Sequence, residues 1–429
     1  MFCPYKFTIL GVSVVFLPYF LFRILSEKKH RIGVSQRLGF VPRRVLEKRT
    51  GEPVIWVHSV SVGEVLAAAP LIEEIRSRFA NHQLLLSTTT VTGQGVCRKK
   101  VASTDDLVIY FPVDLSIVVH RVLSFFSPRA ILLMETEIWP NLIREAKKRG
   151  TKLLLVNGRL SDKSFRRYRK LRPFIRPLLR SFSFIGMQTE QGRQKMLELG
   201  APVNVVSVMG SMKYEAALSS APSGMEVLRL QEESGIRQRK VVVAGSTHRG
   251  EEALVLKAYI ELRKKHPDLF LVIAPRHPER FAEVENVLRE KGIAYSLRSA
   301  KSAVNSSCGV MVLDTLGELM KFYAMANVAF VGKSLTERGG HNPLEPAACA
   351  KPAVFGRHME NFREVADILL SEGGAVQVSN YGELVSAFDS LLADEVVARR
   401  MGARAREAVE SRTGAVRHAI ARLREILPA

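Results

Sequence analysis

The sequence predicts an α/β protein built from two doubly wound parallel sheets. Short apolar and β-branched runs alternate with helical patterns from Pro53 onward, and this series pauses once before it starts again. Continuous apolar runs between helices are typical of parallel strands in a sheet that is covered on both faces. The length of 429 residues exceeds one ordinary core and fits two domains of about 200 residues each.

The first series predicts an N-terminal Rossmann-like domain over residues 31–213. It opens with the strand "VIWVHSV" and the helix "VLAAAPLIEEIRSRF". The strands that follow are "QLLLSTT", "LVIYFPV", "RAILLME", "KLLLVNG" and "FIGMQ".

The series pauses at residues 214–228, where small residues and a proline predict an interdomain linker. A second Rossmann-like domain is predicted over residues 229–393, with the strands "KVVVAGS", "LFLVIAPR", "VMVLD", "VAFVG", "PAVFG" and "AVQVS". The helical residues 394–429 either cover this second domain or return to the first. Since ligands of doubly wound sheets bind beyond the carboxyl ends of the strands, we expect the two domains to face a central cleft.

The N-terminus predicts a membrane anchor. Residues 7–22, "FTILGVSVVFLPYFLF", are uncharged and mostly apolar and would span roughly 24 Å as a helix, slightly less than a bilayer core of about 30 Å. A basic flank follows, without a small-residue cleavage site. The positive-inside rule then favours a retained anchor over residues 1–30 and a cytoplasmic body. A removed signal peptide and a buried core helix are the alternatives.

Composition bears on partners and compartment. The formal net charge of +21 favours an anionic partner. The three candidates are nucleic acid, an acidic membrane face and a phosphorylated substrate. The four cysteines form no C-x-x-C pair, so a reducing compartment is expected.

Several common catalytic motifs are absent from the sequence. It has no H-E-x-x-H motif and no zinc-type cluster of cysteine and histidine. "GKS" at residues 332–334 resembles the end of a P-loop, but Asn327 stands where the first glycine is required. The chain also lacks D-x-D, which argues against a divalent-metal clamp on a diphosphate.

Carboxylates follow two strands of the first domain. Ser61 and Glu64 form an S-x-x-E capping box, and Gly63 between them would let a ligand approach the backbone. Glu135 and Glu137 in "METEIWPN" follow another strand. Acidic residues suit a helix N-terminus for structural reasons alone, but their positions at two strand ends favour a functional role.

The segment "NGRLSDKSFRRYRKLRPFIRPLLR" is basic and amphipathic. Eight lysine or arginine residues and no acidic residue lie between Lys163 and Arg180, and apolar residues recur at helical spacing. Such a segment can lie on an anionic membrane or contact phosphates. The alternative is a solvated charged face whose apolar side packs inward.

Three motifs mark strand ends of the second domain. In "AGSTHRGEE", Ser246 or Thr247 can cap the next helix and form an anion site. In "APRHPER", Arg276 and His277 follow the second strand, although His277 also fits an ordinary surface loop.

The third motif, "ERGGHNPLEPA", predicts a nucleotide site. Gly339 and Gly340 permit a close backbone approach, and Asn342 can cap a helix in which Pro343 takes the first position. Glu345, one turn in, can reach a ribose diol.

Taken together, the motifs resemble one family over most of the chain. "WVHSVSVGEV", "METEIWPN", "NGRLSDKSF", "AGSTHRGEE", "APRHPER" and "GGHNPLEPAA" are similar to motifs of the 3-deoxy-D-manno-octulosonic acid (Kdo) transferases of lipopolysaccharide assembly. The resemblance implies a GT-B glycosyltransferase anchored to the cytoplasmic face of the bacterial inner membrane. It also implies CMP-Kdo as donor, a lipid A precursor (lipid IVA) as acceptor, and an inverting, metal-independent reaction without a cofactor.

The resemblance assigns roles to the candidate residues. The catalytic residues are Glu64, as the general base, and Glu137. Either Glu135 or Glu137 helps to position the sugars. We expect the helix start to favour the ionised form of Glu64 and thereby to weaken its basicity. The residues expected to bind the CMP-sugar are Ser246, Thr247, Arg276, His277, Gly339, Gly340, Asn342 and Glu345. Those expected to face the acceptor or the membrane are Ser61, Gly63, Glu135, Asn157, Arg159, Arg166, Arg167 and Arg169.

Two other functions fit parts of the sequence. A soluble sugar-nucleotide 2-epimerase shares the architecture but needs neither the apolar N-terminus nor the basic segment. A non-catalytic membrane-surface or nucleic-acid-binding protein would explain the charge but requires no paired carboxylates. With the transferase as the main hypothesis, no nucleic acid partner is expected, and the number of Kdo units added stays open.

Overall fold

The computed structural model describes residues 32–300 and 308–427. They form two compact units, residues 32–216 together with 414–427, and residues 217–413. The predicted anchor at residues 7–22 lies outside the described residues. Among those that are described, the helices are all too short or too polar to cross a membrane.

The first unit contains a seven-stranded sheet in the order β3-β2-β1-β4-β5-β6-β7, and all its neighbouring strands are parallel. The strands are β1 (Val54–Ser59), β2 (Gln83–Thr88), β3 (Leu107–Tyr110), β4 (Pro128–Met134), β5 (Lys152–Gly158), β6 (Phe184–Met187) and β7 (Val206–Val208). The helices are α1 (Val34–Arg37), α2 (Arg43–Leu46), α3 (Val62–Arg78), α4 (Val91–Val96), α5 (Ser116–Phe126), α6 (Pro140–Lys148), α7 (Asp162–Lys170), α8 (Arg172–Leu179), α9 (Glu190–Leu199) and α10 (Lys213–Ser219), which spans the division.

The central strands of this sheet are buried on both faces. In β1, Val54 and Trp56 point into one apolar layer, whereas Ile55 and Val57 point into the other. Because the pleat sends alternate side chains to opposite faces, both sets must be apolar. This double burial is why the strand reads as a continuous apolar run in the sequence.

The second unit has the same construction, with a seven-stranded parallel sheet in the order β10-β11-β9-β8-β12-β13-β14. The strands are β8 (Val241–Thr247), β9 (Phe270–Pro275), β10 (Tyr295–Leu297), β11 (Val310–Val312), β12 (Val328–Val331), β13 (Ala353–Gly356) and β14 (Ala375–Val378). The helices are α11 (Gly224–Glu233), α12 (Glu251–Leu262), α13 (Phe281–Glu290), α14 (Leu319–Met325), α15 (Leu344–Ala348), α16 (Arg363–Ser371), α17 (Tyr381–Ala393) and α18 (Glu395–Glu410).

The chain ends in the first unit. The last helix, α19 (Ala415–Ile426), packs its buried residues into one apolar layer of the first sheet, while α18 stays with the second unit. Glu215 holds the start of α19, because its Oε1 accepts hydrogen bonds from the N–H groups of Gly414 (2.7 Å) and Val416 (3.1 Å). The described residues 394–427 are therefore divided between the two alternatives that the sequence left open.

The segment predicted as a linker is mostly helical. Most of residues 214–228 are helical, in α10 and the start of α11, and the division between the units falls after Ala216. A complete capping box at Ser223 and Glu226 begins α11. Small residues here therefore accompany two short helices.

Two strand ends of the second unit are in backbone contact. Gly332 follows β12, and its N–H donates to Gly245 O at 2.9 Å. A Cβ atom on Gly332 would lie 2.4 Å from Ser246 O and 2.7 Å from Thr247 Cα. Both are main-chain atoms, so only a glycine permits this contact.

We therefore expect Gly332→Ala to lower the free energy of unfolding by about 1–3 kcal/mol, the usual cost of an overpacked substitution. Gly224→Ala is the matched control, because a Cβ there meets nothing within 4 Å and alanine favours a helix by up to about 1 kcal/mol over glycine. Urea unfolding followed by far-UV circular dichroism compares the two variants. Equal unfolding midpoints would contradict the backbone contact.

Candidate active site

Glu64 lies in the first turn of α3, directly after β1. Its Oε2 accepts a hydrogen bond from the N–H of Val60 at 2.8 Å, and its Oε1 accepts one from Ser61 Oγ at 3.0 Å. Ser61 is the N-cap residue, but its side chain makes no bond to the helix backbone. The predicted capping box is therefore wrong in its serine half, because the hydroxyl orients the Glu64 carboxylate instead.

Gly63 leaves room next to this carboxylate. A Cβ on Gly63 would meet nothing within 4 Å, so packing inside the protein does not require a glycine at this position. The approach of a ligand to the backbone at Gly63 stays a prediction.

Glu135 and Glu137 follow β4. Glu135 adopts the left-handed conformation, with φ 57, and its N–H donates to Val156 O at 2.9 Å. An adjoining pocket of about 210 Å³ brings both carboxylates together with the predicted Arg159. The pocket is also lined by Thr136, Leu160, Ser161, Ser164 and Tyr168, which the sequence motifs did not single out.

Burial and mutual repulsion set the electrostatics of these carboxylates. Burial raises the pKa of Glu137 to about 7, and the charge of Glu64 is the next largest cause. Burial also raises the pKa of Glu64, against the hydrogen bond from Val60, and Glu135 adds to the rise. The expectation that the helix start weakens the basicity of Glu64 is therefore wrong, since desolvation outweighs it. A carboxylate with a raised pKa is a stronger base near neutral pH.

Asn157 has a structural role in place of the predicted acceptor contact. It is fully buried near the end of β5. Its Oδ1 accepts from Met212 N at 3.1 Å, and its carbonyl oxygen accepts from Gln188 Nε2 at 3.0 Å. A side chain enclosed in this way holds the following loops and does not meet a large acceptor.

The basic segment forms an exposed surface on α7 and α8. Arg166, Arg167 and Arg169 are exposed on α7, and Leu171 and Phe174 at the start of α8 keep 46% and 50% of their surface accessible. We call these five residues the basic–apolar surface. Other apolar residues of the segment are buried in the core, namely Ile175, Leu178 and Leu179. The segment therefore packs inward and also leaves apolar side chains among its arginines.

A buried carboxylate organises the strand ends of the second unit. Glu251, the first residue of α12, is fully buried. Its two oxygens accept hydrogen bonds from four backbone N–H groups, those of His248 (2.9 Å), Lys333 (2.7 Å), Ser334 (2.9 Å) and Leu335 (3.0 Å). The loop after β12 is thereby fixed to the loop after β8. No motif in the sequence predicts the contact with the loop after β12, because Glu251 and that loop lie more than eighty residues apart.

The predicted cap at Ser246 or Thr247 is wrong. The helix α12 begins at Glu251, with Gly250 as its N-cap. Ser246 is left-handed, with φ 54. Thr247 is fully buried, and its Oγ1 has no hydrogen-bond partner among the described residues. Both therefore shape the loop and do not begin the helix.

Arg276 lies close to two other candidate residues. It is exposed after β9, and its N–H donates to Thr247 O at 3.1 Å. Burial raises the pKa of Glu345, while Asn342 and the Arg276 charge oppose the rise. Burial lowers the pKa of His341 to about 4, and Arg276 is the next largest cause. The structure thus brings Arg276, Asn342 and Glu345 together, as the sequence predicts. His277, next in the chain, is exposed.

Asn342 holds the start of a short helix. Its Oδ1 accepts from Leu344 N at 3.1 Å, and its Nδ2 donates to Glu345 Oε1 at 3.4 Å. The helix α15 begins at Leu344 with Pro343 as N-cap, one residue later than predicted.

Gly339 and Gly340 both have positive φ, 125 and 70. A Cβ on Gly340 would meet Met359 Sδ at 2.6 Å and His358 O at 2.9 Å. Close packing against residues 358–361 therefore already requires these glycines, whether or not a ligand approaches them.

The structure adds four polar residues to this group, His248, Lys333, Glu337 and His341. Glu337 contacts His248, and His248 contacts His341. Lys333 lies near enough to lower the pKa of both histidines. All four stand inside stretches quoted above, but their pairing depends on contacts far apart in sequence. In the described part of the chain, no group of three or more metal-ligating side chains could hold a metal ion.

Comparison with known proteins identifies both units. The family described as 3-deoxy-D-manno-octulosonic-acid transferase (kdotransferase) matches residues 33–216, and the family of glycosyl transferases group 1 matches residues 241–408. A Kdo transferase of Haemophilus influenzae is 32% identical over 94% of this chain and 94% of its own length. A probable mitochondrial Kdo transferase of Arabidopsis thaliana is 33% identical over 91% of this chain and 88% of its own.

A solved structure confirms the fold. The UDP-GlcNAc 2-epimerase of Neisseria meningitidis matches 87% of this chain and all of its own, with a TM-score of 0.59 and 15% identity. At that identity the likeness shows the architecture alone, and together with the two parallel sheets it confirms an α/β fold of GT-B type. The two relatives above share sequence over almost the whole chain, and on that basis the protein belongs to the Kdo transferase family of glycosyltransferases.

Proposed function

We propose that this Kdo glycosyltransferase moves Kdo from CMP-Kdo to a lipid A precursor, lipid IVA, by direct displacement with inversion and without a metal ion. The observation that carries the proposal is the set of half-buried carboxylates at the ends of β1 and β4, with raised pKa values for Glu64 and Glu137. The family supports transfer of Kdo over epimerisation.

In this proposal Glu64 is the general base. Its carboxylate takes the proton of the acceptor hydroxyl while the hydroxyl oxygen attacks the anomeric carbon of Kdo. The bond from that carbon to the phosphate oxygen breaks, and its electron pair leaves with CMP. One base is sufficient for a single displacement, because no covalent sugar–enzyme intermediate forms. Burial and the charge of Glu135 keep the pKa of this base high, and Glu135 and Glu137 help to position the sugars.

The second unit binds the donor in this proposal. Arg276 and Lys333 supply positive charge for the phosphate, which carries less charge than a diphosphate and can be stabilised by fixed cations. Glu345 binds the ribose diol, with Asn342 holding its carboxylate in place. Ser246, Thr247, His277 and the two glycines shape the surrounding loops.

The acceptor and the membrane meet the first unit. The basic–apolar surface offers arginines for the phosphates of lipid IVA and exposed apolar side chains for the edge of a bilayer. Together with residues 7–22, this surface supports a location on the cytoplasmic face of the inner membrane.

A transfer assay tests the proposal. CMP-Kdo is first prepared enzymatically, and a chelator is added together with the full-length protein in detergent and a tetra-acylated lipid A precursor. We expect mass spectrometry to show the acceptor with one, two or more added Kdo units, which also settles their number. Transfer that stops when the chelator is present would contradict the metal-independent mechanism.

Glu64→Gln tests the base. The amide keeps the size of the side chain but cannot accept a proton, so we expect a loss of transfer rate of about 10²–10⁴-fold. CMP binding, measured by calorimetry, should be unchanged, because Glu64 lies in the other unit. Substantial turnover by this variant would remove Glu64 from the role of base.

The pH dependence of transfer distinguishes Glu64 from Glu137 as the general base. Transfer requires the ionised base, so kcat/KM rises with pH through the raised pKa of Glu64. Burial, and then the charge of Glu64, raise the pKa of Glu137 to about 7, so Glu64 ionises while Glu137 is still protonated. Glu137→Gln should therefore leave the acid limb of Glu64 in place, whereas Glu135→Gln removes a like charge and moves that limb to lower pH. Glu145→Gln is the control, because Glu145 has a lowered pKa and pairs with His120 and Arg149 elsewhere in the unit. Complete loss of activity in Glu137→Gln would instead make Glu137 the base.

A further inference from the structure

Three side chains of the second unit form a hydrogen-bonded chain that the transfer steps above do not use. Glu337 Oε2 lies 3.1 Å from His248 Nδ1, and His248 Nε2 lies 3.1 Å from His341 Nε2. His248 is buried, whereas half of the Glu337 side chain faces solvent. We call this chain the histidine relay.

The positions of the protons in the relay follow from its geometry. An ionised carboxylate only accepts hydrogen bonds, so Nδ1 of His248 must carry the proton that points to Glu337. Nε2 of a neutral His248 then holds a lone pair, and the proton between the two rings belongs to His341 Nε2. Neutral imidazole carries one N–H, so Nδ1 of His341 is left as a hydrogen-bond acceptor.

Burial and the surrounding cations keep both histidines of the relay neutral at physiological pH. Lys333 and His277 lower the pKa of both histidines, and Arg276 lowers that of His341, in addition to burial. The negative groups that oppose them are Glu337 and Glu251, and both act on His248. His341, with a pKa of about 4, is therefore unprotonated until a ligand changes its surroundings.

An anionic phosphate would reverse this balance. The N–H of His341 donates to Gly332 O at 3.2 Å, next to Lys333, and the N–H of Arg276 donates to Thr247 O at 3.1 Å, next to His248. A phosphate that binds Arg276 and Lys333 would therefore meet the acceptor lone pair of His341, which repels it. At the effective dielectric of a protein surface, a dianion at hydrogen-bonding distance favours the protonated imidazole by several orders of magnitude. The carboxylate of Glu337 stabilises the added charge through His248.

We infer that the Glu337–His248–His341 relay takes up one proton when the phosphate of CMP binds, so that His341 Nδ1–H becomes a donor to the phosphate. This inference rests on the proposed donor site in the second unit. His341 touches the nucleotide, while His248 and Glu337 are positioning residues that act through it. The proton comes from solvent, and no covalent bond changes on binding.

The relay also suits the departure of CMP. When the bond to Kdo breaks, the phosphate changes from a singly charged diester to a monoester that carries a second charge near neutral pH. A protonated His341 already faces the oxygen on which that charge appears, and so stabilises the leaving group without reorganisation.

Calorimetry measures the proton directly. CMP is titrated into the full-length protein in detergent at pH 7, in phosphate-free buffers that differ in ionisation enthalpy. The wild-type protein should take up roughly one proton per CMP, and its affinity should weaken by up to about tenfold per pH unit as the pH rises. Cytidine, which lacks the phosphate, should bind without proton uptake.

Glu337→Gln tests the polarity of the relay. Its amide can donate to His248 Nδ1, which lets both rings change tautomer and gives His341 an Nδ1–H without an added proton. We expect CMP binding to persist with proton uptake close to zero. Asp389→Asn is the matched control, since Asp389 Oδ1 lies 3.1 Å from His266 Nε2 in a histidine–carboxylate pair of the same unit outside the relay, and this variant should retain the uptake.

The outcomes of these titrations distinguish a failure of the relay from a failure of the proposed donor site. CMP binding without proton uptake by the wild-type protein, or the same uptake in Glu337→Gln, would overturn the relay alone. A protein that does not bind CMP would overturn the proposed donor site together with the relay.

Discussion

Both sheets are parallel throughout, and this arrangement decides where functional groups can lie. Parallel strands that are buried on both faces leave no room for functional groups along their length, and all their carboxyl ends meet at one edge. The candidate residues are found at these ends, with Glu64 after β1, Glu137 after β4 and Arg276 after β9. Each unit can therefore change its chemistry at that edge while its apolar layers stay intact.

The same edges hold much of the backbone strain. Among the described residues, six other than glycine have a positive φ, and four of these lie at strand ends near the candidate sites, namely Glu135, Asn157, Ser246 and Lys333. A left-handed residue costs of the order of 1–3 kcal/mol and persists where its surroundings determine it fully. Asn157 and Lys333 show how this happens, because the Asn157 side chain accepts a hydrogen bond from Met212 N and the N–H of Lys333 donates to the buried Glu251 carboxylate.

The fold could be predicted from the sequence because its signal is local. A doubly buried strand such as β1 begins with a continuous apolar run, and this pattern can be recognised without knowing which strands lie beside it. The hydrogen-bond partners could not be predicted in the same way. Glu251 looks like an ordinary acidic residue at a helix start, yet its carboxylate binds a loop more than eighty residues away. Ser61 likewise fits a capping box until the structure shows its hydroxyl on Glu64.

The protonation of the candidate site depends on a competition that sequence alone does not resolve. A helix start favours an ionised Glu64, whereas burial favours the neutral form, and only the structure shows that burial is the larger effect. His248 and His341 of the second unit show the same dominance of desolvation, here with cations added to it. The two units thus hold opposite chemistry, with carboxylates of raised pKa in one and unprotonated imidazoles among fixed cations in the other. Transfer of a sugar from a phosphate needs both, since one proton must leave the acceptor while negative charge collects on the leaving group. A fold shared with an epimerase at 15% identity cannot supply this distinction, which lies in the side chains at the strand ends.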